Sequence, residues 1–154
     1  MIISTLEEFC KYFSVGKSII SLDYGAKKIG MAISSPDHKM SLPFKMIIND
    51  EKNTSINEIL TIITNKEICA IVIGLPLNMD GSPSSQTSVA INFAEKIAAK
   101  TMVPIFMQDE RLTSKAADSL LKSFGLTRKQ RNNNDDLIAA SLILETTLEA
   151  SKRL

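Results

Sequence analysis

Residues 18–48 hold three strand-like runs, Ser18–Asp23, Ile29–Ser34 and Met40–Ile48, with only a few residues between them. Tyr24-Gly25-Ala26-Lys27-Lys28 and Pro36-Asp37-His38-Lys39 are turn sequences. Neither is long enough for the crossover that parallel neighbours need, so the three strands must pair antiparallel. The pattern then changes. Ile56, Ile59, Leu60 and Ile63 mark one face of a helix, and Cys69–Gly74 is a short β-branched strand. A helix over Thr87–Lys100, a strand over Val103–Met107, a helix over Thr113–Phe124 and a last helix over Asp136–Ala150 follow. Strands alternating with helices pair parallel. The expected architecture is α/β: a mixed five-stranded sheet, three antiparallel strands plus two parallel, with helices on both faces.

The first 17 residues read as a separate amphipathic helix. Ser4 or Thr5 can cap it, Glu7 or Glu8 can answer the cap, and Leu6, Phe9, Cys10 and Phe13 form its apolar face before Gly16. The expected organisation is thus an extension at 1–17, a domain at 18–150 and a tail at 151–154. At 154 residues, 44% hydrophobic and 23% charged, the chain has the makings of one globular domain. Its net charge of +1 excludes a polybasic tail-type nucleic-acid binder. Cys10 and Cys69 have neither metal-ligand spacing nor the density of a disulfide framework, and a single histidine argues against zinc chemistry. No apolar run reaches the roughly 18 residues of a membrane span, and the acidic N-terminus is unlike a signal peptide. The expectation is a cytoplasmic protein with no membrane partner.

Acids gather where elements begin or end. Ile19-Ile20-Ser21-Leu22 delivers Asp23 to a strand terminus, and Ile105-Phe106-Met107-Gln108 delivers Asp109-Glu110-Arg111. Asp135-Asp136 opens an apolar helix. Ligands of open sheets collect at the carboxyl ends of parallel strands, where these acids would meet. Converging carboxylates repel, and a hard divalent cation with oxygen ligands resolves the conflict. Two such ions suit an in-line phosphoryl displacement, with Asp23 best placed to bridge them. Each acid alone is also what a turn or helix cap carries. Neighbours on a strand point to opposite faces, so only one of Asp109 and Glu110 can enter such a site.

The turn Gly74-Leu75-Pro76-Leu77-Asn78-Met79-Asp80-Gly81-Ser82 joins a strand to a helix. Its backbone N–H groups could meet a phosphate, with Asn78 and Ser82 adding side-chain donors, but it lacks the nucleotide P-loop pattern. From Arg111 to Asn134, six basic residues (Arg111, Lys115, Lys122, Arg128, Lys129, Arg131) face one acid, Asp118. The near-neutral chain therefore hides a basic segment suited to phosphodiester contacts.

Four stretches together resemble the YqgF/RuvX family, whose members are described as pre-16S rRNA nucleases and as Holliday junction resolvases. They are Asp23-Tyr24-Gly25-Ala26-Lys27-Lys28-Ile29-Gly30, Gly74–Ser82, Asp109-Glu110-Arg111-Leu112-Thr113 and Asp136-Leu137-Ile138-Ala139-Ala140. The resemblance spans about residues 18–148 and implies a ribonuclease H-like fold. It also implies that Asp23, Glu110 and Asp136 are the catalytic acids and hold magnesium or manganese. Arg128-Lys129 matches a basic pair of the family, and together with the loop and basic-segment readings the expected nucleic-acid contacts are Lys28, Asn78, Ser82, Arg111, Arg128, Lys129 and Arg131. Ala26 and Lys28 depart from the family pattern, where a hydroxyl residue and an arginine are usual.

The resulting expectation is a metal-dependent nuclease acting on structured RNA, at the 5′ end of precursor 16S rRNA, on the assembling small ribosomal subunit. A resolvase of branched DNA would use the same chemistry, normally as a homodimer; the chain is expected to be a monomer or a homodimer. The reading from another class is a non-catalytic nucleic-acid or nucleotide-binding module. Asp23-x-Gly25 also resembles a phosphate loop of actin-like ATPases, but those enclose nucleotide between two large domains, and 154 residues supply one.

Overall fold

A computed structural model describes residues 1–50, 53–111 and 128–154, with the side chains of 128–136 outside that description. Its strands are β1 (Ile2–Ile3), β2 (Ile19–Tyr24), β3 (Lys28–Ser34), β4 (Ser41–Ile48), β5 (Ala70–Leu75) and β6 (Ile105–Asp109). The helices are α1 (Leu6–Cys10), α2 (Thr54–Asn65), α3 (Ser85–Ala98) and α4 (Arg128–Ser151). The helix expected over 113–124 lies outside the described residues.

The strands form one sheet in the order β1-β6-β5-β2-β3-β4. β2, β3 and β4 pair antiparallel, as their short connections require, while β5 pairs parallel with both β2 and β6. β2 and β5 are the central strands, and the buried Ile19-Ile20-Ser21-Leu22 and Ala70-Ile71-Val72-Ile73 are the apolar runs of strands covered on both faces. The side chains alternate. Ile20, Leu22, Ile71, Ile73 and Ile105 pack with Ile56, Ile59, Phe93 and Ile97 of α2 and α3. Ile19, Ala70 and Val72 pack against Ala140, Ile143, Leu144 and Leu148 of α4 on the other face.

The mixed sheet and two-sided cover agree with the expected architecture, but the strand count is six instead of five. β1 pairs parallel with β6, through Ile2–Ile105 and Ile3–Phe106. A two-residue strand is too short to leave a periodic signal. It also shortens the N-terminal helix, which begins beyond Thr5 and ends at Cys10. Thr5 Oγ1 accepts the Glu8 N–H at 3.3 Å, with Glu7 and Glu8 in the first turn. Phe9 is fully buried, its ring 5.3 Å from those of Phe13 and Phe106. The last helix starts eight residues before the expected Asp136. Arg128-Lys129-Gln130-Arg131 are good helix formers, but their polarity leaves no apolar stripe to mark them.

Candidate metal centre and nucleic-acid interface

α4 fixes which face of the sheet carries the candidate acids. Ser21, buried in β2, donates its hydroxyl hydrogen bond to the Ala140 carbonyl at 2.6 Å. Asp23, two residues on, therefore leaves the sheet on the α4 side, half-buried. Across the antiparallel ladder its partner is Gly30. The register that pairs Leu22 with Ile73 brings Gly74 level with Asp23 on the other flank. The acid thus stands between two residues without side chains.

The second acid reaches the same place from β6. Gln108 Oε1 accepts from the buried Thr147 hydroxyl of α4 at 2.9 Å, which assigns Gln108, and Glu110 by alternation, to the α4 face. The Glu110 N–H donates to the Leu75 carbonyl at 3.2 Å, extending the β5–β6 ladder by one residue. Its carboxylate lies over Gly74: a Cβ there would stand 2.8 Å from Glu110 Oε2 and 2.7 Å from Ile143 Cδ1. Burial, and then the charge of Asp109, push the Glu110 carboxyl above the ordinary glutamate range.

Position 136 lies on α4 one turn, about 6 Å, before Ala140. Ala140 sits over Ser21, so that turn adjoins the part of α4 that covers β2. Asp136 is eight residues inside α4, not in its first turn as the sequence suggested. The side chains of Asp136, Arg128, Lys129 and Arg131 lie outside the described residues. Among the described residues, no three His, Cys, Asp or Glu side chains form a metal-binding group.

Asp109 turns the other way. Its carboxylate takes the Arg111 Nε and Nη2 at 2.7 Å and the Arg111 N–H at 2.9 Å, and the guanidinium hydrogen bonds hold its carboxyl below the usual range. Arg111 Nη1 continues to the Met79 carbonyl at 3.4 Å and lies 3.1 Å from where a Cβ of Gly81 would stand, a residue at φ 88°. The loop 77–83 is held from within. Asn78 N–H donates to the Ser82 carbonyl, Gly81 N–H to the Asn78 carbonyl, and Ser82 N–H to Asp80 Oδ1. Asn78 Nδ2 meets Ser82 Oγ at 3.0 Å, the Ser82 hydroxyl meets Asp80 at 2.6 Å, and the Thr87 hydroxyl donates to the Pro76 carbonyl. These groups shape the loop, so the phosphate cradle read from its N–H groups is not formed by 78, 81 and 82. Lys28 is exposed at the start of β3. Ala32 on the α4 face puts it, by alternation, on the side of the acids.

Among the described residues the donor set is two carboxylates, Asp23 and Glu110, on one face of the sheet, and it is all oxygen. It fits a hard divalent cation such as magnesium or manganese. Sequence reasoning missed the clearance at Gly74 and the two hydroxyl anchors, Ser21 and Thr147. A polar residue inside an otherwise apolar strand was the available signal for Ser21.

A family model described as "RuvX: Holliday junction resolvase" matches residues 17–150. The chain belongs to the RuvX family. Relatives named "Putative pre-16S rRNA nuclease" align end to end with this RuvX chain. That of Rickettsia canadensis is 48% identical over 99% of both chains, and that of Rickettsia felis 46% identical over the whole of both. Two solved structures share the fold at 12% identity. T. thermophilus RuvC in complex with a Holliday junction substrate matches with a TM-score of 0.56, covering 89% of this chain and 94% of its own. The fowlpox virus resolvase, complexed with Holliday junction DNA, has a TM-score of 0.53 over 86% and 97%. Both have the ribonuclease H-like fold that the sequence led one to expect. No helix among the described residues is long and apolar enough to cross a membrane.

Proposed function

We propose that this RuvX-family chain is a divalent-metal-dependent nuclease that processes the 5′ end of precursor 16S rRNA in the cytoplasm. The observation that carries the reading is the approach of Asp23 and Glu110 to Gly74 on the α4 face, at the carboxyl edge of β2, β5 and β6. Asp23, Glu110 and Asp136 are the metal-holding acids in this reading. A bound magnesium or manganese ion supplies the charge that makes a water nucleophilic at neutral pH and that stabilises the leaving oxygen. The residues themselves orient and neutralise. Glu110 holds a proton more readily than an ordinary glutamate, because burial and then the charge of Asp109 raise its carboxyl, and it would hold a cation in its ionised form. Lys28 on the same face and the basic positions 128, 129 and 131 of α4 contact phosphates. Arg111 fixes the 77–83 loop at the rim, where Asn78 and Ser82 shape the path of a flanking strand.

Asp23→Asn keeps the side-chain shape and removes the charge. Cleavage of a precursor 16S fragment should fall by about three orders of magnitude, equivalent to about 4 kcal/mol of barrier, with an unchanged melting profile. Full cleavage by this variant overturns the metal mechanism. The family description favours a second substrate, the four-way DNA junction. Assaying both substrates beside a measured oligomeric mass separates the two: junction cleavage by a dimer, without precursor trimming, replaces the RNA reading.

A further inference from the structure

A cavity of about 430 Å³ lies on the sheet face opposite the acids, walled by the β2–β3 turn, by Asn49, Asp50 and Asn53 beyond β4, and by α2 and α3. That volume is within the roughly 300–1,000 Å³ of small-molecule sites. Strand alternation builds it. Asp23 faces α4, so Tyr24 faces the other way, and its ring packs on Phe93 of α3 with centroids 4.5 Å apart. Val89, Asn92, Phe93 and Lys96 repeat at helical spacing and line one wall. Asn49 closes the opposite wall: its Nδ2 donates to the Gly25 carbonyl at 2.8 Å and its Oδ1 accepts from the Ser55 hydroxyl at 3.3 Å. Asn92 and Lys96 are exposed and are not tied into the hydrogen bonds of the described residues.

An aromatic pair, three asparagine carboxamides and one ammonium line this single cavity and match the parts of a nucleotide, with the Asp50 carboxylate on the Asn49 wall, across from Lys96 of α3, suited to a ribose hydroxyl. Bases stack on aromatic faces, asparagine amides pair with base edges, and a lysine meets a phosphate. We infer that this cavity is a second nucleotide-binding site, taking a nucleobase on the Tyr24–Phe93 wall with its phosphate at Lys96. The ligand is either a free mononucleotide or an unpaired nucleotide of a bound strand; only the latter source rests on the nuclease reading. The β2–β3 turn stands between the cavity and the acids, so a strand rounding it would place one base behind the sheet.

Calorimetry in EDTA, which silences any metal at the acids, tests the site with AMP and ribose 5-phosphate as probes. AMP should bind, and ribose 5-phosphate at least about tenfold more weakly. Lys96→Ala and Asn92→Ala should each weaken AMP about tenfold, the weight of one charge-assisted or base-edge contact. Both positions are exposed, so melting temperatures should hold. Asp23→Asn should bind AMP as the parent does, which separates failure here from failure of the nuclease reading. An unpaired RNA tetramer that displaces AMP assigns the site to a strand; one that leaves AMP bound assigns it to the free nucleotide. No AMP binding, or equal binding by the Asn92→Ala/Lys96→Ala double variant, overturns the inference.

Discussion

Replacing Gly74 by alanine adds one methyl group between the sheet and the candidate acids. Gly74 does not use the left-handed backbone region, so alanine meets no conformational penalty and the whole effect is steric. The new carbon would stand 2.7 Å from Ile143 Cδ1 and 2.8 Å from Glu110 Oε2. Ordinary contact begins near 3.5 Å, so each neighbour must retreat by about 0.7–0.8 Å. Overpacking of this kind costs about 1–3 kcal/mol, which in a domain of this size lowers Tm by about 2–12 °C. The carboxylate displacement matters more for activity, since a misplacement near 1 Å costs about a hundredfold. Ile143→Val removes the Cδ1 atom and relieves only the helix contact. Gly74→Ala/Ile143→Val should therefore recover Tm relative to Gly74→Ala while cleavage stays about a hundredfold down. Thermal melts and single-turnover cleavage on the four combinations read both quantities. Full activity in Gly74→Ala, or activity returning together with Tm in the double variant, refutes the placement of Glu110 over Gly74.

Glu110 has its carboxyl raised by burial and by Asp109, so the stability this contributes is full at low pH and is lost as pH climbs through its raised value. In EDTA at neutral pH, Glu110→Gln should melt above the parent, and with magnesium supplied it should lose cleavage; a lower Tm contradicts that sign. Asp109 shows the reverse: the Arg111 hydrogen bonds lower its pKa, giving stability that is present above the ordinary aspartate value and lost as pH falls through the lowered one. Asp109→Asn should flatten the acid limb of the Tm profile. It should also free Arg111, steepening the salt dependence of RNA binding by about one unit of log–log slope, checked by filter binding across salt. Phe9→Ala, at a fully buried ring, should cost about 3–5 kcal/mol, or about 6–20 °C in Tm, by a melt of the purified variant.

How much of this was legible depends on whether a feature leaves a periodic trace. The β2–β3–β4 meander was legible because short connections leave no alternative, and the central strands because they are continuously apolar. The clash of directions at Asp109-Glu110 was legible from strand alternation, though which acid turns inward was not. That choice depends on the β6 register, set by Gln108 and Thr147. β1 was hidden because two residues carry no period, and the first turns of α4 because a polar helix face has no apolar stripe. The loop 77–83 allowed two readings, a phosphate cradle and an ordinary loop. Glycine, asparagine and serine signal backbone N–H groups open to a ligand, and equally a turn that satisfies itself; Asp80 and Asn78 decide for the second.

The two acidic strand ends share one logic. At β2 the dipeptide Asp23-Tyr24 sends a carboxylate to the α4 face and an aromatic ring to the α3 face. At β6 the dipeptide Asp109-Glu110 sends Glu110 over Gly74 and Asp109 to Arg111 at the loop. A one-residue slip of β2 would put Tyr24 on the α4 face in place of Asp23, and a slip of β6 would put Asp109 there in place of Glu110. The register is therefore as much a functional residue as any side chain. It is pinned on the α4 side by Ser21–Ala140, a hydrogen bond between buried partners, and by Thr147–Gln108, which joins a buried hydroxyl to a half-buried amide. Removing either hydroxyl should reduce cleavage even though neither touches substrate, and Ser21→Ala should do so more than Thr147→Val. The Ser21–Ala140 bond is buried at both ends, whereas Gln108 is half-buried and can turn to water when its partner is removed. Unchanged cleavage in both variants would mean that the ladders, and not the helix contacts, set the register.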